Sequence, residues 1–259
     1  MTQIIAVANQ KGGVGKTTTS VNLAASLAVI KRRVLLVDMD PQGNATTGIG
    51  LDKHDAPELL SDVLLGEADV EDAIQTIPDS TIHGLAGGPN LSIAEFEMMR
   101  MDEREYRLRK VLISVKDKYD YIIIDCPPSL NMLTVNALVA ANGVLIPMQC
   151  EYYALEGLSA LMGSIKTIRD SSNAELKIVG LLRTMYDPRN NLSRDVSNQL
   201  AQHFKDTLYN TSIPRNIRLA EAPSHGLPAL LYDKRSSGAL AYLALAAEVI
   251  RKESSRKAA

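Results

Sequence analysis

The chain has no tryptophan and only two phenylalanines in 259 residues, so aromatic packing cannot fill its interior. At 46% hydrophobic residues, the core must instead be aliphatic, built from Val, Ile, Leu and Ala, and one sizeable domain is within reach. Cysteines number two, Cys126 and Cys150, each beside an apolar run, a placing that suits buried reduced thiols rather than a disulfide or metal pair. A strong charge of either sign is missing as well. The formal net charge is −2, so no global field draws the chain to nucleic acid or an anionic membrane, and any DNA surface must be a local patch. No stretch reaches the roughly 18 apolar residues of a spanning helix. The first apolar run, residues 4–8, is too short for a signal peptide and leads straight into a charged, glycine-rich turn. A cytoplasmic protein is expected.

What the chain does have is a series of short, continuous apolar runs at 4–8, 34–37, 121–124, 144–146 and 178–182. Strands buried on both faces read this way, as in parallel sheets covered by helices. Between the runs lie segments of helical spacing, at 17–30, 104–115, 131–141, 155–169 and 193–204. The alternation predicts an α/β fold, a doubly wound, mostly parallel sheet with helices on both faces. With no repeat, low-complexity tract or linker in view, residues 1–252 are expected to form one domain and 253–259 a flexible tail. The least regular stretch, 51–101, is expected to be an excursion over the sheet edge that the catalytic assignments do not need.

After the first strand comes Lys11-Gly12-Gly13-Val14-Gly15-Lys16-Thr17-Thr18, then a helix. Backbone N–H groups in such a turn, the positive end of the helix dipole and the absence of side chains at the glycines together make an anion site. Lys16 would reach the β- and γ-phosphates of a nucleotide, and the Thr17 hydroxyl would ligate Mg²⁺. The usual phosphate-loop pattern asks for glycine where this chain has Gln10, and a second lysine, Lys11, stands at the start of the turn. Two further apolar runs end in carboxylates, Asp38 with Asp40, and Asp125. Carboxyl ends of parallel strands face the crevice where open α/β sheets bind ligands. Two Asp residues two apart would point to one side if the strand continued through both. Asp125 would hold Mg²⁺ through water, and the lack of a nearby His or Glu base suits phosphoryl transfer by positioning and charge stabilisation.

A turn reading K-G-G-V-G-K-T-T resembles the deviant Walker A family, which includes the ParA/Soj partition ATPases, MinD and the nitrogenase iron protein. The resemblance implies slow, Mg²⁺-dependent ATP hydrolysis. The early lysine, Lys11, would reach across a nucleotide-sandwich homodimer to the partner's ATP, supplying charge in trans as an arginine finger does. It makes Asp40 the residue that places the attacking water, joins it to Thr17 and Asp125 around the metal, and gives Asp38 a supporting role. In the same way Pro214 and Asn216 would line the adenine pocket, with Met185 stacking nearby.

Likeness to the ParA/Soj branch extends over residues 8–19, 34–47, 121–130, 146–158 and 213–226. That branch binds DNA without sequence preference as an ATP dimer and answers to a ParB-type centromere-binding partner, which implies association with the nucleoid. No helix-turn-helix precedes the first strand in this sequence, which agrees with a non-specific mode. The family's DNA-contacting arginines fall on Arg189 and Arg218, with Arg235 and Lys252 as further candidates, and such phosphate contacts are salt-sensitive. The alternative is a MinD-like membrane-associated division-site ATPase. It would need a terminal amphipathic helix, and no bulky apolar residue follows Ile250. An iron–sulfur role would need cysteines at a dimer face or a C-x-x-C pair, and Cys126 and Cys150 are 24 positions apart.

Overall fold

Each continuous apolar run forms a strand whose side chains alternate between two covered faces, as a period of two requires. In the first strand Ile4 and Ala6 join one core, while Ile5 and Val7 join the other. The computed structural model describes residues 2–53, 58–77 and 80–258. Its strands are β1 (Gln3–Val7), β2 (Val34–Asp38), β3 (Ile74–Thr76), β4 (Ile82–Leu85), β5 (Tyr121–Asp125), β6 (Gly143–Gln149), β7 (Lys177–Tyr186) and β8 (Leu208–Pro214). They make one sheet in the order β3-β4-β2-β5-β1-β6-β7-β8. Every pairing is parallel except that of β3 with β4. This is the doubly wound architecture expected from the alternation of runs and helical spacings.

The longer helices are α1 (Lys16–Val29), α2 (Asn90–Met98), α3 (Arg107–Val115), α4 (Met132–Ala140), α5 (Ala154–Ser171), α6 (Asn191–His203) and α7 (Ser237–Ala258). Helices α2 to α6 cover one face of the sheet, burying residues such as Leu91, Leu112, Leu133, Leu161 and Leu200. Helices α1 and α7 cover the other through Leu23, Leu27, Tyr242 and Leu245. Each of these leucines contributes about 1.5–3 kcal/mol of apolar burial. No aromatic cluster is needed.

Three differences from the sequence reading have simple causes. The stretch 51–101 supplies β3, β4 and α2 and so extends the sheet edge; β3 and β4 are only three and four residues long, too short for a periodic signal. Residues 54–57 and 78–79 within it, with Met1 and Ala259 at the ends, lie outside the described residues. At the other end α7 runs on to Ala258, past the position 253 where a tail was expected. The Tyr121 hydroxyl donates to Glu253 and ties this part of the helix to the start of β5. Strand β8, Leu-Tyr-Asn-Thr-Ser-Ile-Pro, has too few apolar residues to be seen as a buried run.

Candidate nucleotide site

The parallel strands converge at their carboxyl ends. Val7 of β1 is in register with Asp125 of β5, which is in turn in register with Asp38 of β2. The residues following β1 therefore turn directly over two carboxylates. Gly13 and Gly15 have φ of 74° and 85°, a left-handed backbone that costs a side-chain-bearing residue about 1–2 kcal/mol. Gly15 then starts α1 with no side-chain cap and no acidic residue in the first turn. The amide donors of that turn are thus left to an anion, and the helix dipole adds to the attraction.

The two lysines of the loop face different ways. Lys16 is buried, 7% exposed, with its Nζ donating to the Lys11 carbonyl at 3.1 Å. Burial lowers its pKa, while the charges of Asp125 and Asp40 oppose that shift. The Lys11 side chain is 46% exposed and ion-paired with Glu151.

Asp125 is fully buried and accepts two hydroxyls, from Thr17 at 2.8 Å and from Ser20 at 2.7 Å. Asp38, 1% exposed, accepts the Asp40 amide at 3.1 Å, and accepts both the amide and the hydroxyl of Thr46 at 2.8 Å. Burial raises the pKa of both acids, and mutual repulsion adds to it at Asp125. A cluster of oxygen donors with repelling buried carboxylates, a threonine hydroxyl among them, is the chemistry a hard divalent cation satisfies. The donor set therefore fits Mg²⁺, which Thr17, Asp125 and Asp40 would hold. Strand β2 stops at Asp38, so Asp40 is not aimed by strand alternation. Instead it sits in a turn in which its Oδ1 accepts the Gln42 amide at 3.0 Å.

A cavity of about 220 Å³ opens beside the loop, lined by Gly15, Thr18, Thr184, Met185, Pro214 and Asn216, among others. The three residues expected around a base are brought together there. Met185 has φ of 49°, and its sulfur accepts Gln149 Nε2 at 2.8 Å. The Asn216 amide donates to Ser237 at 2.9 Å and leaves a buried Oδ1 without a hydrogen bond. Such an acceptor in an apolar slot matches the exocyclic amine of adenine.

The candidate DNA residues divide. Arg189 lies just past β7 and makes a two-pronged pair with Asp187, at 2.9 and 2.8 Å. Arg218, past β8, contacts Glu221 at 2.7 Å and Asp233 at 3.4 Å. The exposed Arg235 joins the same turn through its amide on Asp233, at 3.1 Å. Lys252 is set apart: it donates to the Leu208 carbonyl at the start of β8, 2.9 Å away, and lies over the Tyr209 ring. That is the opposite edge of the sheet from the carboxyl ends. Cys126 and Cys150 are buried free thiols, and burial raises the pKa of both.

Several site residues escaped the sequence reading. Ser20 lies three positions after Thr17 on α1, on the same helix face, so spacing could have found it. Thr184, 2% exposed, donates to the Val14 carbonyl at 2.8 Å and pins the loop to β7. Gly87 gives its amide to Thr46 Oγ1 at 3.0 Å and passes so close to Asp38 that a Cβ would lie 2.2 Å from its carbonyl oxygen. The glycine pair Gly87-Gly88 after a short strand was its only trace.

The chain is similar to known proteins along nearly its whole length. The AAA domain family matches residues 2–178. The chain is similar to the sporulation initiation inhibitor protein Soj of Bacillus subtilis, 53% identical over 249 residues, 96% of this chain and 98% of that one. It is 49% identical over 258 residues to the chromosome partitioning protein ParA of Caulobacter vibrioides, covering 99% and 97% of the two chains. Among solved structures, cobyrinic acid a,c-diamide synthase from Mycobacterium smegmatis with bound ATP analog and magnesium superposes with a TM-score of 0.86 at 37% identity. That match covers 98% of this chain and 97% of the other.

Proposed function

Because the chain belongs to the ParA/Soj family of chromosome-partitioning ATPases, we propose that it works as an ATP-driven dimerising switch that grips DNA and is reset by hydrolysis. The observation that carries this reading is the division of labour between two lysines in one turn. Lys16 is buried toward the chain's own carboxylates, whereas Lys11 stands half exposed at the rim. A cation at the rim is placed to meet a phosphate brought by a facing copy.

In this reading residues 12–18 cradle the phosphates, Lys16 neutralises the β- and γ-oxygens, and Met185, Pro214 and Asn216 hold the base. Thr17 and Asp125, with Asp40, hold Mg²⁺, which when bound neutralises charge developing on the phosphate oxygens. Asp40, held in its turn by Asp38 and the Gln42 amide, orients the attacking water. Hydrolysis removes the group that Lys11 bridges in trans, and the protomers part.

Arg189, Arg218 and Arg235 all follow carboxyl ends of strands or the turn beside them, so a dimer closing on this edge doubles a patch of modest charge. Lys252 lies away from it. The stimulating partner is a ParB-type protein with a basic N-terminal peptide, and the ATP dimer resides on the nucleoid. The MinD-like alternative needs a free apolar helix face, yet Tyr242, Leu245 and Val249 of α7 are buried in the core. A DNA-binding titration with ADP, ATP and a slowly hydrolysed analogue, at two salt concentrations, tests the proposal. Salt-sensitive retention only with the triphosphates is expected; equal retention in all three would refute the switch.

A further inference from the structure

The exposed ammonium of Lys11 already has an occupation. It lies 2.5 Å from Glu151 Oε2, with the two side chains 46% and 50% exposed. The main chain on both sides of this pair is held. The Lys11 amide donates to Asn9 Oδ1 at 3.0 Å, and its carbonyl accepts Lys16 at 3.1 Å. The Glu151 amide donates to the Gln149 carbonyl and its own carbonyl accepts the Ala154 amide, both at 3.0 Å. Asn9 and Gln149 then join the turns after β1 and β6, through Pro147 O at 2.8 Å and Gly13 O at 3.2 Å. The pair is therefore set by two neighbouring strand ends, not by a chance meeting of long side chains.

We propose that Glu151 is a positioning residue that keeps Lys11 on its own protomer until a second, triphosphate-loaded copy displaces it. The inference rests on the trans-lysine reading given above. An ammonium drawn across the interface to a facing phosphate gives up charge and a hydrogen bond at its own Glu151, so closing the dimer trades one partner for the other. A triphosphate carries more negative charge than one carboxylate and wins the exchange. A diphosphate, lacking the γ-oxygens, returns less for the same release, and the lysine stays at home. Glu151 thus sharpens the distinction between the two nucleotides.

The test is a sedimentation titration of the full chain in Mg-ATP and Mg-ADP, for wild type, Glu151→Gln, Glu151→Asp and Lys11→Gln. An exposed pair of this kind is worth a factor of about 1.4 to 5, and a dimer releases two. Glu151→Gln is therefore expected to tighten the ATP dimer by about 2- to 30-fold and to raise dimer content in ADP. Glu151→Asp, which keeps the charge, is expected to stay near wild type. An ATP dimer that is unchanged or weaker in Glu151→Gln, while Lys11→Gln abolishes it, would overturn the positioning role and leave the trans lysine standing. A Lys11→Gln protein that still dimerises in ATP would overturn the underlying reading itself.

Discussion

Substituting alanine for Gly87 probes how closely the edge of the sheet supports the nucleotide site. The added methyl would lie 2.2 Å from the Asp38 carbonyl oxygen, 3.0 Å from its carbon and 3.1 Å from the Asp38 Cβ. Those atoms belong to the last residue of β2, so no flexible side-chain tip can swing aside. Overpacking against a fixed backbone costs about 1–3 kcal/mol. The shift also strains the 3.0 Å bond from the Gly87 amide to Thr46 Oγ1, worth about 1 kcal/mol more. A loss of ~2–4 kcal/mol corresponds to a fall of ~4–16 °C in Tm for a chain of this length. Because Thr46 holds Asp38 and Asp38 holds the Asp40 amide, the displacement reaches the turn that carries Asp40, and kcat is expected to drop by ~10- to 100-fold. Calorimetry measures the first effect, and a steady-state ATPase assay well below the variant's Tm measures the second. A variant that keeps both its melting temperature and its turnover would show that this close approach supports nothing.

Other perturbations separate the remaining roles. Ser20→Ala removes one of the two hydroxyls on the buried Asp125 and is expected to cost about 1.5–3 kcal/mol in a urea titration; an unchanged midpoint would exclude it from the site. Asp40→Ala is expected to bind ATP and accumulate as a dimer retained on DNA, and normal phosphate release by that variant would remove Asp40 from the hydrolytic step. Arg189→Glu with Arg218→Glu should preserve dimerisation and abolish DNA retention in a filter-binding assay; intact retention would place the DNA face elsewhere.

The parts of this molecule that were legible in the sequence are those where one physical rule dominates. Residues 4–8, 34–37 and 121–124 read as buried strands because both faces of each are covered, and α1 followed from the glycine turn before it. The phosphate loop was legible because its glycines and lysines have no common alternative use at that spacing. Asp40 was legible as a residue but not in its placing: strand alternation would have aimed it only if β2 ran on through it, and the strand stops at Asp38. Hydrogen bonds with Asp38 and Gln42 hold it instead. Gly87, Thr184 and Glu151 act through contacts between residues far apart in sequence, and no local pattern records those. Lys252 looked like its neighbours in charge, and only the fold put it on the far edge. The carboxylates that hold Arg189 and Arg218 are near neighbours in sequence, Asp187 two positions before the one and Glu221 three after the other, so local spacing could have found them.

The mass of the chain in solution, measured by sedimentation in Mg-ADP and in Mg-ATP with Lys11→Gln alongside, tests the central claim most directly. The account predicts dimers of the wild type that form with ATP and fall apart with ADP, and a Lys11→Gln chain that binds ATP yet stays single. One unchanging mass in both nucleotides, or ATP dimers that survive the loss of Lys11, would contradict it.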